Sequence, residues 1–142
     1  MPITVNSVEF SGPLGGPLRD PSEDFLKSIL HEPSVDYWRS GSADAALNFS
    51  GPDGWAQLDF TYHPGLGFCV VFESPSEQLV LTTNPNDDEI VSVWFIQNQV
   101  EMPRSHFVPP NVALAAALAF LPSGAAGQVA GGGWIPFSPL EP

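Results

Sequence analysis

The chain has 142 residues, of which 43% are hydrophobic and 11% aromatic, and its 16 acidic residues outnumber 4 basic ones to give a net charge of -12. This length suits one domain with a real core, and the hydrophobic content excludes a disordered chain. The negative charge disfavours nucleic acid and anionic membrane surfaces as direct ligands, because like charges repel. A cation, a cationic small molecule or a basic protein are the matching partners, and acidity that serves only solubility is the alternative.

Cysteine usage and apolar runs indicate the compartment. Cys69 is the only cysteine, so neither an intramolecular disulfide nor a thiolate metal cluster can form. The N-terminus lacks the basic and apolar regions of a secretory signal. The longest apolar run, Val112 to Leu121, is too short to cross a bilayer of roughly 30 Å. We therefore expect a soluble cytoplasmic protein.

The first third of the chain predicts one strand, one loop and one helix. Ile3 to Phe10 reads as a strand, and the Gly/Pro-rich stretch "SGPLGGPLRDP" reads as a loop. A helix is then predicted to begin with Asp20 as its N-cap, Pro21 in the first turn and Glu23 closing a capping box.

Alternating apolar and polar residues predict an antiparallel meander after residue 45. In the clearest case, Ala56, Leu58 and Phe60 alternate with polar residues, which indicates one buried and one wet face. Turn residues separate the predicted strands, which are Ala45 to Phe49, Trp55 to Tyr62, Phe68 to Glu73, Gln78 to Thr83 and Ile90 to Asn98. The last strand is apolar on both sides, which predicts a central strand or one covered on each face.

The C-terminal part predicts a helix and a short strand. Asn111 to Leu121 is Ala-rich and is followed by Gly124, which is typical of a helix C-terminus. Residues 121–142 form a Gly/Pro-rich C-terminal extension, with a short strand expected near Gln128 to Phe137. The whole pattern predicts a single α+β domain over residues 1–142, an antiparallel sheet of about five to six strands with two helices packed on it.

Motifs for catalysis or metal binding are not found. The three histidines are scattered, and the acidic run at 87–89 lacks the spacing of an EF-hand loop. The sequence contains no nucleophile elbow, Walker A loop or dinucleotide-binding glycine pattern, and Cys69 lies inside a predicted strand. We therefore expect no enzyme activity, no catalytic residues, no metal and no cofactor.

A cluster of three carboxylates at a predicted turn is the most unusual local feature. Asp87, Asp88 and Glu89 come directly before the apolar strand that begins at Ile90. Clustered carboxylates accelerate encounter with a cationic protein, and aromatic side chains such as Trp55 or Trp94 supply the desolvated centre of an interface. A solvated turn and core tryptophans are the ordinary alternative for each residue taken singly.

The C-terminal half resembles a known family. A strand ending in Trp94-Phe95 is followed by Met102-Pro103-Arg104-Ser105, Phe107-Val108-Pro109, an Ala-rich helix closing in Phe120-Leu121, Gly124, and a segment from Val129 to Trp134. This pattern is similar to the immunity proteins of bacterial polymorphic toxin systems, in particular the family encoded beside secreted nucleic-acid deaminase toxins. The resemblance covers about Gly54 to Phe137.

The resemblance implies a bacterial cytoplasmic antidote that binds one toxin domain and blocks its active site. Toxins that act on nucleic acid carry basic grooves, which an acidic protein can occupy by mimicking the charge of the substrate. The candidate toxin-contacting residues, chosen by charge and aromatic character, are Asp87, Asp88, Glu89, Asp53, Asp59, Glu73, Glu77, Trp55 and Trp94.

Two other classes of function remain open from the sequence. An acidic cytoplasmic chaperone for a secreted effector would hold an extended segment, usually as a dimer. A small enzyme or ligand-binding domain would have a deep pocket with convergent polar groups. The oligomeric state and the identity of the blocked toxin are not encoded in any motif of the chain.

Overall fold

The chain adopts a mixed α+β fold, as predicted, in which all strands pair in antiparallel fashion. The computed structural model describes residues 7–13, 15–39, 44–51, 54–95, 98–122 and 124–137, and for residues 15, 16, 39, 94, 95 and 98 it describes the backbone alone. The elements within these ranges are β1 (Ser7–Gly12), β2 (Gly15–Arg19), α1 (Glu23–Leu30), α2 (Val35–Arg39), β3 (Ala45–Gly51), β4 (Gly54–His63), β5 (Gly67–Glu73), β6 (Gln78–Thr82), β7 (Ile90–Phe95), β8 (Asn98–Pro103), a 3₁₀ turn (Arg104–His106), α3 (Pro110–Phe120) and β9 (Gly133–Pro136).

Seven of these strands form one sheet in the order β2-β1-β3-β4-β5-β6-β9, and β7 pairs with β8 in a separate two-stranded sheet. The main sheet has one or two strands more than the sequence predicted. Side chains alternate strictly between its faces, as in β4, where Ala56, Leu58 and Phe60 are buried and the residues between them are partly exposed. We call the face that carries these three residues the inner face and the opposite one the outer face.

The helices cover the inner face. Leu26 and Leu30 of α1, together with Phe120 of α3, are almost completely buried in the main core. Burial of a side chain as large as Leu26 stabilises a fold by about 2 kcal/mol. Trp38 of α2 joins this core, because its ring lies 5.1 Å from that of Phe68 and its indole N–H donates to the carbonyl of Ile29 at 3.1 Å. α2 was not predicted from the sequence.

The β7–β8 pair covers part of the outer face. Val93 and Met102 of the pair are buried together with Cys69 of β5 and Val80 of β6. Ile135 of β9 packs against the same cluster. We call these five residues the hairpin cluster. The fold therefore has three layers where the pair lies: helices, main sheet and hairpin.

The N-terminal segment differs from the prediction in two ways. The stretch read as a loop contains β2, an edge strand that pairs with β1, and an edge position tolerates the proline at residue 17. Helix α1 begins two residues late, because Ser22 is its N-cap and accepts a hydrogen bond from the Phe25 N–H at 3.1 Å. Asp20 instead adopts a left-handed conformation (φ 50°), and its N–H donates to the carbonyl of Val8 at 2.8 Å.

The apolar strand at residue 90 also differs from the prediction. β7 pairs with β8 and is not a central strand of the main sheet, and residues 96 and 97 of the predicted strand lie outside the described residues. Val93 of β7 belongs to the buried hairpin cluster, which accounts for an apolar residue at that position. Ile90, at the start of β7, is instead 47% exposed. The segment "QVEMP", which belongs to β8, was not predicted as a strand.

The C-terminal predictions agree with the structure. α3 ends within one residue of the predicted boundary, and Gly124 follows in the left-handed conformation (φ 65°) with its N–H bonded to the Phe120 carbonyl at 2.8 Å. A side chain at Gly124 would overlap the ring of Phe49, so this close approach requires glycine. Within the Gly/Pro-rich extension, β9 pairs with β6 as the last strand of the main sheet.

Candidate functional site

The acidic turn before β7 is an ordered structure. The Asp87 side chain accepts a hydrogen bond from the Glu89 N–H at 3.1 Å, and the Asp87 N–H donates to the carbonyl of Asn84 at 3.1 Å. The N–H of Asn84 in turn donates to the Thr82 hydroxyl at 3.1 Å. Short polar side chains that bond the nearby backbone fix such turns, so these carboxylates are presented in a defined geometry.

Arg104 contacts two of the three carboxylates in this turn. Its Nη1 lies 2.9 Å from Glu89 Oε2 and its Nε lies 4.0 Å from Asp87 Oδ2. The hydrogen bond and charge of Glu89, followed by the charge of Asp87, raise the pKa of Arg104. Asp88 is exposed and forms no ion pair with any residue in the described ranges. The turn therefore presents less free negative charge than its sequence indicates.

Three of the predicted site residues lie together on the outer face instead. Trp55 and Asp59 belong to β4, and Glu73 belongs to β5 opposite Gln57. Because residues two apart share a face, Trp55, Gln57 and Asp59 all project away from the helices. The hairpin cluster draws its residues from β5, β6, β9 and the hairpin itself, and Asp59 lies close enough to Cys69 of that cluster for its charge to raise the pKa of the thiol.

Asp59 is the most electrostatically perturbed carboxylate. The residue is half-buried, but its Oδ1 is buried and has no hydrogen-bond partner among the residues that the structure describes. Burial raises the pKa of Asp59 to about 7, with further contributions from the charges of Asp44 and Glu73, against an opposing hydrogen bond from the Phe60 backbone. This carboxyl group is therefore half-protonated near neutral pH.

Of the remaining predicted residues, Glu77 alone has a described side chain. Glu77 is exposed in the turn between β5 and β6, where its carbonyl accepts from the Ser74 N–H at 3.0 Å. Asp53 lies outside the described residues, and Trp94 lies in β7 with its side chain outside the described part. The structure thus divides the candidates into an acidic turn and an outer-face group, rather than joining them in one site.

Burial also shifts the pKa of the described histidines at 63 and 106 and of the cysteine. Burial lowers the pKa of His63 to about 4, and its ring packs edge-on against Phe107 at 5.2 Å. Burial also lowers the pKa of His106, whose ring lies 5.6 Å from that of Phe137. Burial, followed by the charge of Asp59, raises the pKa of Cys69 to about 12, so the thiol is neutral. Among the described side chains, no three His, Cys, Asp or Glu residues converge as metal ligands.

Two shallow clefts flank Trp134 near the end of the chain. One has a volume of about 510 Å³ and lies between Thr82 and the glycines at 131–133, and the other has a volume of about 550 Å³ and reaches Gln128. The residues that line them carry no titratable side chain. Neither cleft therefore offers a side chain for general acid-base chemistry.

Comparison with models of protein families, with curated proteins and with solved structures found no match. Within the described residues, no helix combines the length and apolar content needed to cross a membrane.

Sequence reasoning missed the role of Arg104 and the common orientation of Trp55 and Asp59. The arginine is 15 residues from Glu89 in sequence, and nothing local indicates that the two side chains meet. The orientation of Trp55 could be read from the sequence, because Trp55 is two residues before Gln57 and four before Asp59. These three residues therefore share the polar side of the alternating strand.

Proposed function

We propose that this chain is an immunity protein of a bacterial toxin system. It acts in the cytoplasm, where it binds a cognate secreted toxin that targets nucleic acid, such as a deaminase or nuclease, and occludes the basic active-site groove. The observation that carries this proposal is the excess of carboxylates, 16 against 4 basic residues.

Local pairing leaves this excess unchanged, because an ion pair neutralises one charge of each sign. Arg104 contacts Asp87 and Glu89, and Arg19 lies 3.9 Å from Glu9, so two of the four basic residues face carboxylates of the same chain. A toxin that binds DNA or RNA must concentrate Lys and Arg along its substrate groove. An acidic partner meets such a groove with attraction over about 10 Å at moderate salt.

The resemblance to immunity proteins supports the same class of function. Several positions of that pattern are buried, among them Met102, Phe107, Phe120 and Val129. The pattern therefore describes a fold more than a reactive site. A protein that protects by occupying the active site of another protein needs a stable, rigid surface and no catalytic group of its own.

The proposal is tested with the toxin domain encoded beside this chain. Co-expression should rescue growth of cells that produce the toxin, and the purified pair should form a one-to-one complex in which the toxin is inactive. Absence of a complex, together with unchanged toxin activity at equimolar protein, would contradict the proposal. A complex with only an extended segment of the partner would favour an effector chaperone instead.

A further inference from the structure

We infer that the partner docks on the exposed half of the outer face, with Trp55 at the centre of the contact. We call this half the open face and define it as Glu9, Asn48, Ser50, Trp55, Gln57 and Glu73. The inference rests on the proposed function and adds the surface that performs it. The occupant to which we commit is a folded protein domain with a basic surface.

Strand register brings the open face together. Glu9 of β1 is opposite Asn48 of β3, which is opposite Gln57 of β4, which is opposite Glu73 of β5. These residues form one row across four strands, and Arg19 of β2, opposite Glu9, continues the row at its edge. Trp55 lies two residues before Gln57, so it occupies the adjacent row on the same face, opposite Ser50.

Trp55 is the exception among the tryptophans whose side chains are described. Trp38 is 2% exposed and Trp134 is partly buried, and each donates its indole N–H to a backbone carbonyl. Trp55 is 48% exposed. Its cross-strand neighbour Ser50 is itself exposed and short, so the large indole projects from a surface of small polar side chains.

The two halves of the outer face differ in chemistry. Where the β7–β8 pair packs, the face carries Cys69, Val80 and Ile135. On the open face the side chains are polar or acidic, apart from Trp55. A polar sheet face exposed to water is ordinary, and Trp55 is the one large exposed hydrophobic side chain described on this part of it. Tryptophan is also enriched at the energetic centres of interfaces.

Charge selects the kind of partner. Glu73 and Glu9 are negative, and the exposed pair of Glu9 with Arg19 at 3.9 Å is weak. Nucleic acid would be repelled. A metal ion does not fit, because the backbones of Glu9 and Glu73 are three strand spacings apart, roughly 14 Å, too far for both carboxylates to bind one ion. A broad, flat face with an aromatic centre and an acidic margin fits a basic protein surface.

Two pairs of substitutions test the open face against the other side of the molecule. Trp55→Ala is compared with Leu18→Ala, which also removes an apolar side chain, one that is 43% exposed. Leu18 is paired with Phe10, a residue of the inner face, so it lies away from the open face. Glu73→Lys is compared with Glu32→Lys, which makes the same change of net charge at an exposed position directly after α1. Circular dichroism and thermal unfolding of each variant establish that it folds.

Binding is measured with the toxin domain encoded beside this chain. Trp55→Ala should weaken the complex by about 30-fold or more, and Leu18→Ala should leave it within about threefold. Glu73→Lys should slow association at low salt more than Glu32→Lys does. If the unmodified protein binds and both open-face variants bind as it does, the docking surface is wrong and the proposed function survives. If the unmodified protein does not bind, the proposed function itself fails.

A second copy of the chain is the competing occupant, and the same variants distinguish it. The mass of the protein alone is measured by light scattering over a range of concentrations. The inference predicts that Trp55 is exposed to solvent in the free protein, before the toxin is added. It also predicts that tryptophan emission shifts to the blue on binding and that Trp55→Phe removes this shift. A dimer that Trp55→Ala dissociates would overturn the inference.

Discussion

Arg104 and Glu89 are joined twice, once by their side chains at 2.9 Å between Nη1 and Oε2 and once by the Arg104 backbone N–H donating to the Glu89 carbonyl at 2.7 Å. This double contact ties the start of β7 to the end of β8. It holds the acidic turn against the β7–β8 pair and reduces the charge that the turn presents.

Removal of the Arg104 side chain should therefore loosen the turn. The Asp87 carboxylate accepts a hydrogen bond from the Glu89 N–H and lies beside the Arg104 guanidinium. In Arg104→Ala this cation no longer holds the carboxylate in place. Amide hydrogen exchange of residues 87–89 should accelerate by about threefold to tenfold. Arg19→Ala is the matched control, because that arginine faces Glu9 on β1, and it should leave exchange at the turn unchanged. Equal protection in both variants would show that the hydrogen bonds within the turn order it without the Arg104 side chain.

Asp59 should make the folded state less stable as the pH rises. Its folded pKa of about 7 is above the ordinary value of 3.8, so its contribution is fully present below pH 3.8 and is lost as the pH rises through 7. Asp59→Asn should therefore raise the free energy of unfolding by roughly 2–4 kcal/mol near pH 8 and change it little near pH 4. Urea denaturation at the two pH values measures this difference. Asp88→Asn, at an exposed position, is the control, and an equal effect from both variants would contradict the assignment.

His63 should have the opposite pH dependence. Its folded pKa of about 4 is below the ordinary value of 6.5, so the unfolded chain takes up a proton first, and stability is lost as the pH falls from 6.5 through 4. Between these values the slopes of Asp59 and His63 oppose each other. His63→Phe, which keeps a ring against Phe107, should leave a protein that gains stability on acidification from pH 6.5 to about 4. An NMR titration that gives His63 an ordinary pKa would contradict this account.

Reversal of the acidic turn tests whether it belongs to the toxin interface. Changing Asp87, Asp88 and Glu89 to Lys should slow association with the toxin domain by about tenfold at low salt, because steering depends on charge near the contact. The control reverses three carboxylates of the helical layer, Glu23, Asp24 and Glu32, which gives the same net charge. Equal slowing in both variants would mean that only net charge matters and would remove the turn from the interface.

Local patterns predicted the parts of the fold in which one physical signal dominates. The alternation in β4 and the Pro and Gly residues that flank α3 gave those elements to within one residue. β2 was missed because Gly and Pro also mark loops, and only its pairing with β1 makes it a strand. β8 was missed for a related reason, since its hydrogen-bonding partner and its buried neighbours are set by tertiary packing.

The candidate site was less predictable than the fold. Sequence proximity grouped Asp87, Asp88 and Glu89, but it gave no indication that Arg104 would contact two of them. Conversely, Glu9 and Glu73 are distant in sequence and share one row of the open face only through the register of four strands. Charge composition indicates a kind of partner, whereas the location of the contact depends on strand order.

The most direct test of the central claim is the salt dependence of binding between this protein and the toxin domain encoded beside it. Stopped-flow or surface-based kinetics should give a nanomolar complex whose association rate falls by about tenfold or more between roughly 50 mM and 500 mM salt, with a smaller change in dissociation. A complex weaker than about micromolar, or an association rate that does not respond to salt, would contradict binding through complementary charge.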